Sequence, residues 1–398
     1  MKSQRVPAGI WALGFVSMLM DISSEMIHAL LPVYMVAVLG TSMMTVGIIE
    51  GVAEATAAIV KVFSGALSDW LGRRKILAVI GYGLGAITKP VFPMAGSIGW
   101  LIGARFVDRI GKGIRGAPRD ALVADLAPAE LRGASFGLRQ SLDTIGAFTG
   151  PLLAIFLMWL TAGHFQTVFW IAVIPAFLSV GVLLIAVKEP RPAPAQRHIR
   201  MPLHRDELRR LGPAYWRVVM IAALFTLARF SEAFLILRAQ SIGLSLEMVP
   251  LVLVIMSFTY SLSAYPIGWL SDRVNRITLL AIGLAVLVVA DIILAFTSSL
   301  AGLTVGVALW GLHMGCTQGL LATLIADTAP PELRGTAFGM FNLVTGIALL
   351  AASILAGALW DMTGPKGTFL AGATFTMLTL AGLLAYRHRL GRPATPDC

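Results

Sequence analysis

The chain has 398 residues, 57% hydrophobic and only 13% charged, a balance too apolar for a soluble domain of this length. Its 31 Lys and Arg against 21 Asp and Glu leave a net charge of +10, which a membrane topology accounts for without a nucleic-acid partner. Two cysteines, Cys316 and Cys398, exclude a disulfide framework and a metal finger.

Apolar runs near the roughly 20 residues that span a bilayer recur along the whole chain. Twelve are expected, at 8–38, 44–67, 76–94, 98–122, 135–161, 167–187, 214–242, 247–270, 277–297, 300–325, 335–360 and 368–386. The first is too long and too interrupted by charge to read as a cleaved signal peptide. Basic residues crowd into alternate loops. Lys2 and Arg5 precede the first span, Arg73, Arg74 and Lys75 follow the second, Arg132 follows the fourth, and Arg273, Arg276, Arg334, Arg387 and Arg389 continue the series. The opposite loops hold only Lys366. Such bias places both termini in the cytoplasm. The expected class is therefore an all-α membrane protein of twelve transmembrane helices.

Span one carries Asp21, Glu25 and His28 at i, i+4 and i+7, hence on one helical face. Span two carries Glu50 and Glu54, with Lys61 further on. Asp21, Glu25 and Glu54 fall near mid-depth, where a carboxylate favours its protonated form unless a cation is close. These three are the candidates for proton coupling. The static alternative is an ion-pair network, Asp21 or Glu54 to Arg105 or Arg109, that only neutralises span four. The Asp21, Glu25 and His28 face also has the donors of a divalent-cation site, which leaves metal cargo as a further alternative. His28 is, however, alone as an imidazole in its span. No resident metal or cofactor is expected.

Span four is the most charged stretch. From Arg105 to Asp125 it holds Arg105, Asp108, Arg109, Lys112, Arg115, Arg119 and Asp120, at steps of three and four that put them on one stripe. Phe106, Val107, Ile110 and Ile114 are left for lipid or neighbouring helices. One charge at the bilayer centre costs roughly 2.5–3.5 kcal/mol on insertion scales, so this stripe must face a wet cavity and partner charges. Guanidinium groups suit carboxylate and phosphate, which makes Arg105, Arg109 and Lys112 candidates for the anionic part of a solute. Span five adds Arg139, Gln140 and Asp143, then Gly146, Gly150 and Pro151.

The segment 189–213 is the one long polar stretch, with Pro190, Pro192, Pro194 and Gly212, and reads as a cytoplasmic linker. It divides the chain into 1–188 and 214–398, each expected to form a six-helix bundle. The sequence repeats across it. Asp125-Leu-Ala-Pro-Ala-Glu130-Leu-Arg132-Gly133 returns as Asp327-Thr-Ala-Pro-Pro-Glu332-Leu-Arg334-Gly335, Gly65-Ala-Leu-Ser-Asp69 returns as Gly268-Trp-Leu-Ser-Asp272, and Ser24-Glu25 is echoed by Ser231-Glu232. The offsets of 202, 203 and 207 residues fit one duplicated unit. The second copy has lost the basic stripe: Arg109 corresponds to Gly311 and Arg119 to Leu321. Span seven keeps Arg229, Glu232 and Arg238, and span ten has His313, Cys316 and Gln318. Trp310, Phe225, Phe230 and Phe234 form an apolar wall, better read as packing than as a stacking surface.

These features resemble the major facilitator superfamily. Gly65-Ala-Leu-Ser-Asp69-Trp-Leu-Gly72-Arg73-Arg74-Lys75 resembles its signature loop between helices two and three, with a partial echo at Gly268–Arg276 that lacks the second glycine. Arg109 to Gly113 resembles the helix-four Arg-x-x-x-Gly element. Gly146-Ala-Phe-Thr-Gly150-Pro151 resembles the glycine-proline motif of the family's antiporters, without the trailing glycine pair. Asp21-Ile-Ser-Ser-Glu25-Met and the Arg105–Asp125 stretch together resemble a prokaryotic branch of mostly unassigned substrate.

The resemblance implies two bundles working by alternating access, in a prokaryotic plasma membrane, among lipids and as a monomer. No Gly-x-x-x-x-Gly-Lys-Ser/Thr loop is present, so an ion gradient, most simply protons, is the expected energy source. The cargo expected is a small anionic or zwitterionic organic solute. Its binding set would be Arg105, Arg109, Lys112, His28, Arg229 and Glu232. Gating would fall to Gly65, Asp69, Gly72, Arg73, Asp120 and Asp272, with Arg73 reaching Asp120 or Asp125. Export is favoured by the partial antiporter motif; import of organic anions or metal chelates is the rival. No nucleophile-base pair suggests an enzyme, and a non-transporting receptor would have no use for charge at mid-depth.

Overall fold

A computed structural model describes residues 6–71, 73–128, 131–188, 205–271, 273–330 and 333–390. The described chain is helical, with no strand in it. In order the helices are α1 (Ala8–His28), α2 (Leu31–Val33), α3 (Met43–Leu71), α4 (Arg74–Thr88), α5 (Val91–Met94), α6 (Ile98–Leu126), α7 (Arg132–Leu160), α8 (Phe165–Ala186), α9 (Arg205–Arg210), α10 (Gly212–Ala228), α11 (Ala233–Ser241), α12 (Leu251–Ser271), α13 (Arg276–Phe296), α14 (Leu300–Thr328), α15 (Arg334–Thr363) and α16 (Pro365–Leu390). Among the described residues, 10 helical segments are long and apolar enough to cross a membrane. The shorter apolar run Leu251–Ala264 lies within α12, where the eighth span was expected. Helix α6 occupies the fourth position, and its charge keeps it out of that set.

Three expected spans are interrupted, span three at Pro90 between α4 and α5. Span one ends as α1 at His28 and restarts with Pro32 inside α2, where the missing proline N–H costs nothing. Span seven breaks between α10 and α11, although no proline lies there. The backbone N–H of Ser231 leaves the helical pattern and donates to Ser353 Oγ at 3.2 Å, while Ser231 Oγ accepts from the N–H of Ala233 at 3.3 Å. The expected single helix over 214–242 is therefore two, and Arg229 and Glu232 stand at the break rather than on one regular face.

The chain gathers into two compact units. The first holds Met1–Leu39, Thr56–Met201 and Leu246–Leu251; the second holds Gly40–Ala55, Pro202–Ser245 and Val252–Cys398. Leu246–Leu251 goes with the first unit, and the first half of α3 belongs with the second. Glycine explains the latter. A Cβ on Gly47 would stand 2.1 Å from the Ser353 carbonyl, and one on Gly357 would stand 2.5 Å from the Met43 carbonyl. Only bare backbones can approach so closely. The Asp361 carboxylate then caps α3, accepting from the N–H groups of Met43 at 3.0 Å and Met44 at 2.9 Å. The second half of α3 lies on α6: Ser64 Oγ donates to the Gly113 carbonyl at 2.9 Å.

Within the first unit, α1 packs on α7 and α8, and α4 on α6 and α8. Gly81 and Gly111 make the α4–α6 crossing, since a Cβ on Gly111 would stand 2.6 Å from the Gly81 carbonyl. In the second unit α13 packs on α14 and α16, and α10 on α15 and α16. One ion pair recurs in each unit at the repeat offset. Arg74 Nη1 meets Asp125 Oδ2 at 2.6 Å, and Arg276 meets Asp327.

Gly111→Ala is expected to destabilise the protein by about 1–3 kcal/mol through overpacking. Gly83→Ala, whose added Cβ meets nothing within 4 Å, should leave stability unchanged or raise it by up to about 1 kcal/mol through helix propensity. Thermal melts of the two variants in detergent check the pair; equal shifts would refute the crossing described.

Candidate functional site

Helix α6 brings its charges to one stripe, as the spacing predicts. Arg105, Asp108, Arg109 and Arg115 are all buried, while Phe106 on the far side is exposed. Each buried guanidinium needs an acceptor, and the partners fall into two groups along the helix.

The first group centres on Asp108. Lys89, at the end of α4 and 2% exposed, places its Nζ 2.9 Å from Asp108 Oδ1 and donates to Ser24 Oγ at 3.0 Å. Arg109 Nε lies 3.6 Å from Asp108 Oδ2, and Arg105 also acts on this carboxylate. Beside it, His28 Nδ1 lies 3.4 Å from Glu25 Oε2, and Glu25 faces Lys112 and Arg109. Lys112 is exposed.

The second group lies nearer the Asp125 end. Asp21 faces Asp143, and Arg115 Nη2 stands 3.9 Å from Asp21 Oδ1 with its guanidinium over the Tyr82 ring at 4.8 Å. Arg119 reaches Asp120 at 3.1 Å and Asp143 at 3.5 Å, and donates to Ser17 Oγ at 3.2 Å. Arg139 bridges Asp143 at 3.3 Å and Asp120 at 3.8 Å, and donates to Gln140 Oε1 at 2.7 Å. Lys61 faces Asp120.

The glycines of the antiporter-like motif place α7 on this face. A Cβ on Gly146 would stand 3.1 Å from the Asp21 Cβ, and one on Gly150 would stand 2.7 Å from the Glu25 Cβ. The motif therefore lets the α7 backbone lie directly against the two carboxylate positions of α1. Pro151 continues it inside α7 without breaking the helix.

Several expectations change here. The static alternative paired Asp21 or Glu54 with Arg105 or Arg109; Asp21 turns to Arg115, and Asp108 is a carboxylate on which Arg105 and Arg109 act. Glu54 is half-buried, and with buried Glu50 it lies on the part of α3 that belongs to the second unit. Arg73 is exposed at the start of α4, and its neighbour Arg74 holds Asp125 and donates to the Ala121 carbonyl at 3.0 Å. A shift of one residue turns a helical side chain by about 100°, enough to exchange the two arginines. Gly65 lies 3.5 Å, by a built Cβ, from Ala117. The Asp69 side chain, Gly72 and Asp272 lie outside the described residues. Among the described residues no group of three His, Cys, Asp or Glu gathers as a metal set.

In the second unit Arg229 lies 5.7 Å from the Phe225 ring and interacts with Glu232. Arg238 serves structure, donating to the Leu294 carbonyl at 2.8 Å and to the Thr297 carbonyl that ends α13. Phe230, Phe234 and Trp310 are buried among one another and against Trp360 and Phe369, and buried Phe225 lies against His313. Two charged residues escaped the sequence reading. Lys89 and Asp291 each stand alone in an otherwise apolar run, and solitary charge gives no periodic signal. Their position inside a span was the available clue.

Repeated apolar helices long enough to cross a membrane, with charge buried along one face of α6, define a multi-pass membrane transporter. The chain belongs to the major facilitator superfamily, whose profile matches residues 13–238 and 218–397. It is 33% identical over 391 residues to an uncharacterised MFS-type transporter of Methanocaldococcus jannaschii, covering 96% of this chain and 95% of that one. It is 25% identical over 364 residues to the gentisate transporter of Corynebacterium glutamicum, covering 85% and 78%. A mutant of the nucleoside transporter NupG shares the fold with a TM-score of 0.79 at 14% identity, over 96% of this chain and 100% of that one. The protein is a multi-pass membrane transporter carrying small-molecule solutes, and not an enzyme.

Asp108→Asn is expected to cost about 3–5 kcal/mol, because it leaves Lys89, Arg105 and Arg109 crowded without their shared anion. Lys89→Met should cost less, since Asp108 keeps Arg109. Denaturation in detergent gives the order; the reverse order would show that Lys89 alone supports the carboxylate.

Proposed function

We propose that the protein is a proton-coupled carrier of small anionic or zwitterionic organic solutes, with export the favoured direction. The observation that carries this reading is the contact of Asp21 with Asp143 amid Arg115, Arg119 and Arg139. Two carboxyls in contact hold a shared proton more readily than two charges, and a moving arginine can displace it. Asp21 is thus the proton carrier. Glu25, tied to His28 and faced by Lys112 and Arg109, is the second, and Glu54 the third candidate. Lys61, Lys89, Arg105, Arg109, Lys112, Arg115, Arg119 and Arg139 outnumber Asp21, Glu25, Asp108, Asp120 and Asp143 in this unit. The surplus favours an anion and strengthens when the carboxyl pair takes its proton. Arg109, with Arg105 and Lys112, is the anion-binding element; His28, Arg229 and Glu232 complete the set.

The relation to a gentisate transporter supports a carboxylate cargo, and aromatic carboxylates are the first solutes to try. The twelve-span topology has both termini in the cytoplasm of a prokaryotic plasma membrane, and a single chain among lipids suffices. Gating belongs to Gly65, Asp69, Gly72, Arg73, Asp120 and Asp272 at one end. At the other it belongs to the Asp361 cap on α3, whose hydrogen bonds must break if that end is to open. The Gly146–Pro151 motif supports antiport.

Proteoliposomes with an imposed pH gradient test this. Vesicles acidic inside should accumulate an aromatic carboxylate such as gentisate, the sign of antiport; accumulation in vesicles alkaline inside would mean symport and import. Asp21→Asn should lower gradient-driven accumulation at least tenfold while leaving solute exchange in place. Flux that ignores the gradient, or an unaffected Asp21→Asn, would overturn the proton-coupled reading.

A further inference from the structure

The second unit holds ionisable side chains that the proposed mechanism does not use, two of them shut inside the bundle on α13 and α14. Asp291 on α13 and His313 on α14 are both 0% exposed, shut off by the protein's own side chains. Asp291 Oδ1 accepts from the Trp310 indole N–H at 3.0 Å. Its Oδ2 has no hydrogen-bond partner. His313 lies edge-on between the Trp310 ring, at 5.1 Å, and the Phe225 ring, at 6.3 Å. It looks toward the Trp310 carbonyl, yet neither ring nitrogen closes a hydrogen bond of ordinary geometry.

The neighbours of Asp291 offer it one indole N–H, an aromatic ring and, beyond Gly372, the Ala228 carbonyl, and among the described residues no cation pairs with it. Helix α14 contributes Trp310, with His313 one turn on. Helix α16 contributes the bare backbone of Gly372, where an added Cβ would stand 2.7 Å from Oδ2 and 3.2 Å from the Phe230 ring. The charged groups of these elements lie elsewhere. Lys366 of α16 sits over Phe296, Arg276 of α13 pairs with Asp327, and Arg238 of α11 is spent on the carbonyls of Leu294 and Thr297. Arg229 at the α10–α11 break acts on Glu232 and His313. An ionised carboxylate with one indole donor and no cation is the least tolerable charge a bundle interior can hold. On the Gly372 side the space beside Oδ2 will not admit even a methyl group, which leaves no room there for an organic ligand. The ligand that fits is a proton.

We propose that the second repeat carries its own proton-binding centre, with Asp291 as the acid, its proton on Oδ2, and Trp310 as its fixed polar neighbour. The centre is separate from the Asp21–Asp143 pair and deepens the proton-coupled reading without depending on it. In this arrangement Asp291 is occupied. Release requires a second arrangement in which water or a cation reaches Oδ2, and the broken α10–α11 segment with Arg229 is the adjacent element able to supply one.

Infrared spectroscopy of the purified full chain in lipid tests the proposal. The wild type at neutral pH should show the C=O stretch of a protonated carboxyl in a dry site, slow to shift in deuterium oxide. Asp291→Asn should remove that band and Asp21→Asn should keep it. Asp291→Asn, whose amide keeps the shape of the neutral acid, should melt near the wild type, whereas Asp291→Leu, which strips the Trp310 N–H of its acceptor, should melt lower. Should Asp291→Asn fail to fold, Asp291→Glu serves instead and should move the band. A spectrum in which neither variant alters any protonated-carboxyl band would overturn the proposal. So would sodium-dependent melting abolished by Asp291→Asn, which would make the residue an ionised cation ligand. If pH gradients drive no transport while the band behaves as expected, the proposed coupling fails and the proton centre stands.

Discussion

Lys89 and Asp108, 2.9 Å apart and both almost fully buried, set the terms for the first unit. A cation at the end of α4 and an anion on α6 can enter an apolar interior only together. Their pairing fixes how the two helices face each other, and the Gly81–Gly111 crossing lets the backbones come close enough for it. Once Asp108 is committed to Lys89, Arg109 and Arg105, the remaining arginines of α6 must find other anions, of which Asp120 on α6 itself is one for Arg119. Arg115 turns to Asp21 on α1, and Arg119 turns to Asp143 on α7. The second group of charges is a consequence of the first.

The two groups differ in what they can do. Asp108 is met from several sides and buried with Lys89, Arg105 and Arg109, and any change in its charge strands the rest. The Asp21 group is looser: its shortest link between Asp21 and Arg115 is 3.9 Å, and it brings two carboxyls face to face. One group holds the helices, and the other has the freedom a carrier of protons needs. The glycines of α7 connect them to the motif that suggested antiport, because Gly146 and Gly150 leave room where Asp21 and Glu25 leave α1.

Much of this was legible in the sequence. Span lengths, the repeat and the α6 stripe follow from composition and from steps of three and four, which are properties of one helix at a time. The Arg74–Asp125 and Arg276–Asp327 pairs lie inside the repeated segments, and the loop arginines pointed to them, although to Arg73 rather than Arg74. What was not legible depends on two helices at once. Which carboxylate meets which guanidinium is set by rotation about each axis, and Asp21 meets Arg115. Lys89 and Asp291 had no charged neighbour at helical spacing to announce them. The break at Arg229 comes from a serine on α15, more than a hundred positions away in the chain, and no local propensity encodes it.

In the proposed mechanism the α6 stripe, rather than the carboxylate face alone, binds the solute. The most direct measurement is the melting midpoint of the purified protein against a chemically diverse solute panel at acidic and neutral pH. A ligand at about a hundred times its dissociation constant adds roughly 2.7 kcal/mol. Organic anions should raise the midpoint, more at acidic pH, and Arg109→Ala should remove the shift. Stabilisation by organic cations or divalent metals alone, lost in Asp21→Asn and kept in Arg109→Ala, would contradict the claim and make the carboxylate face the site.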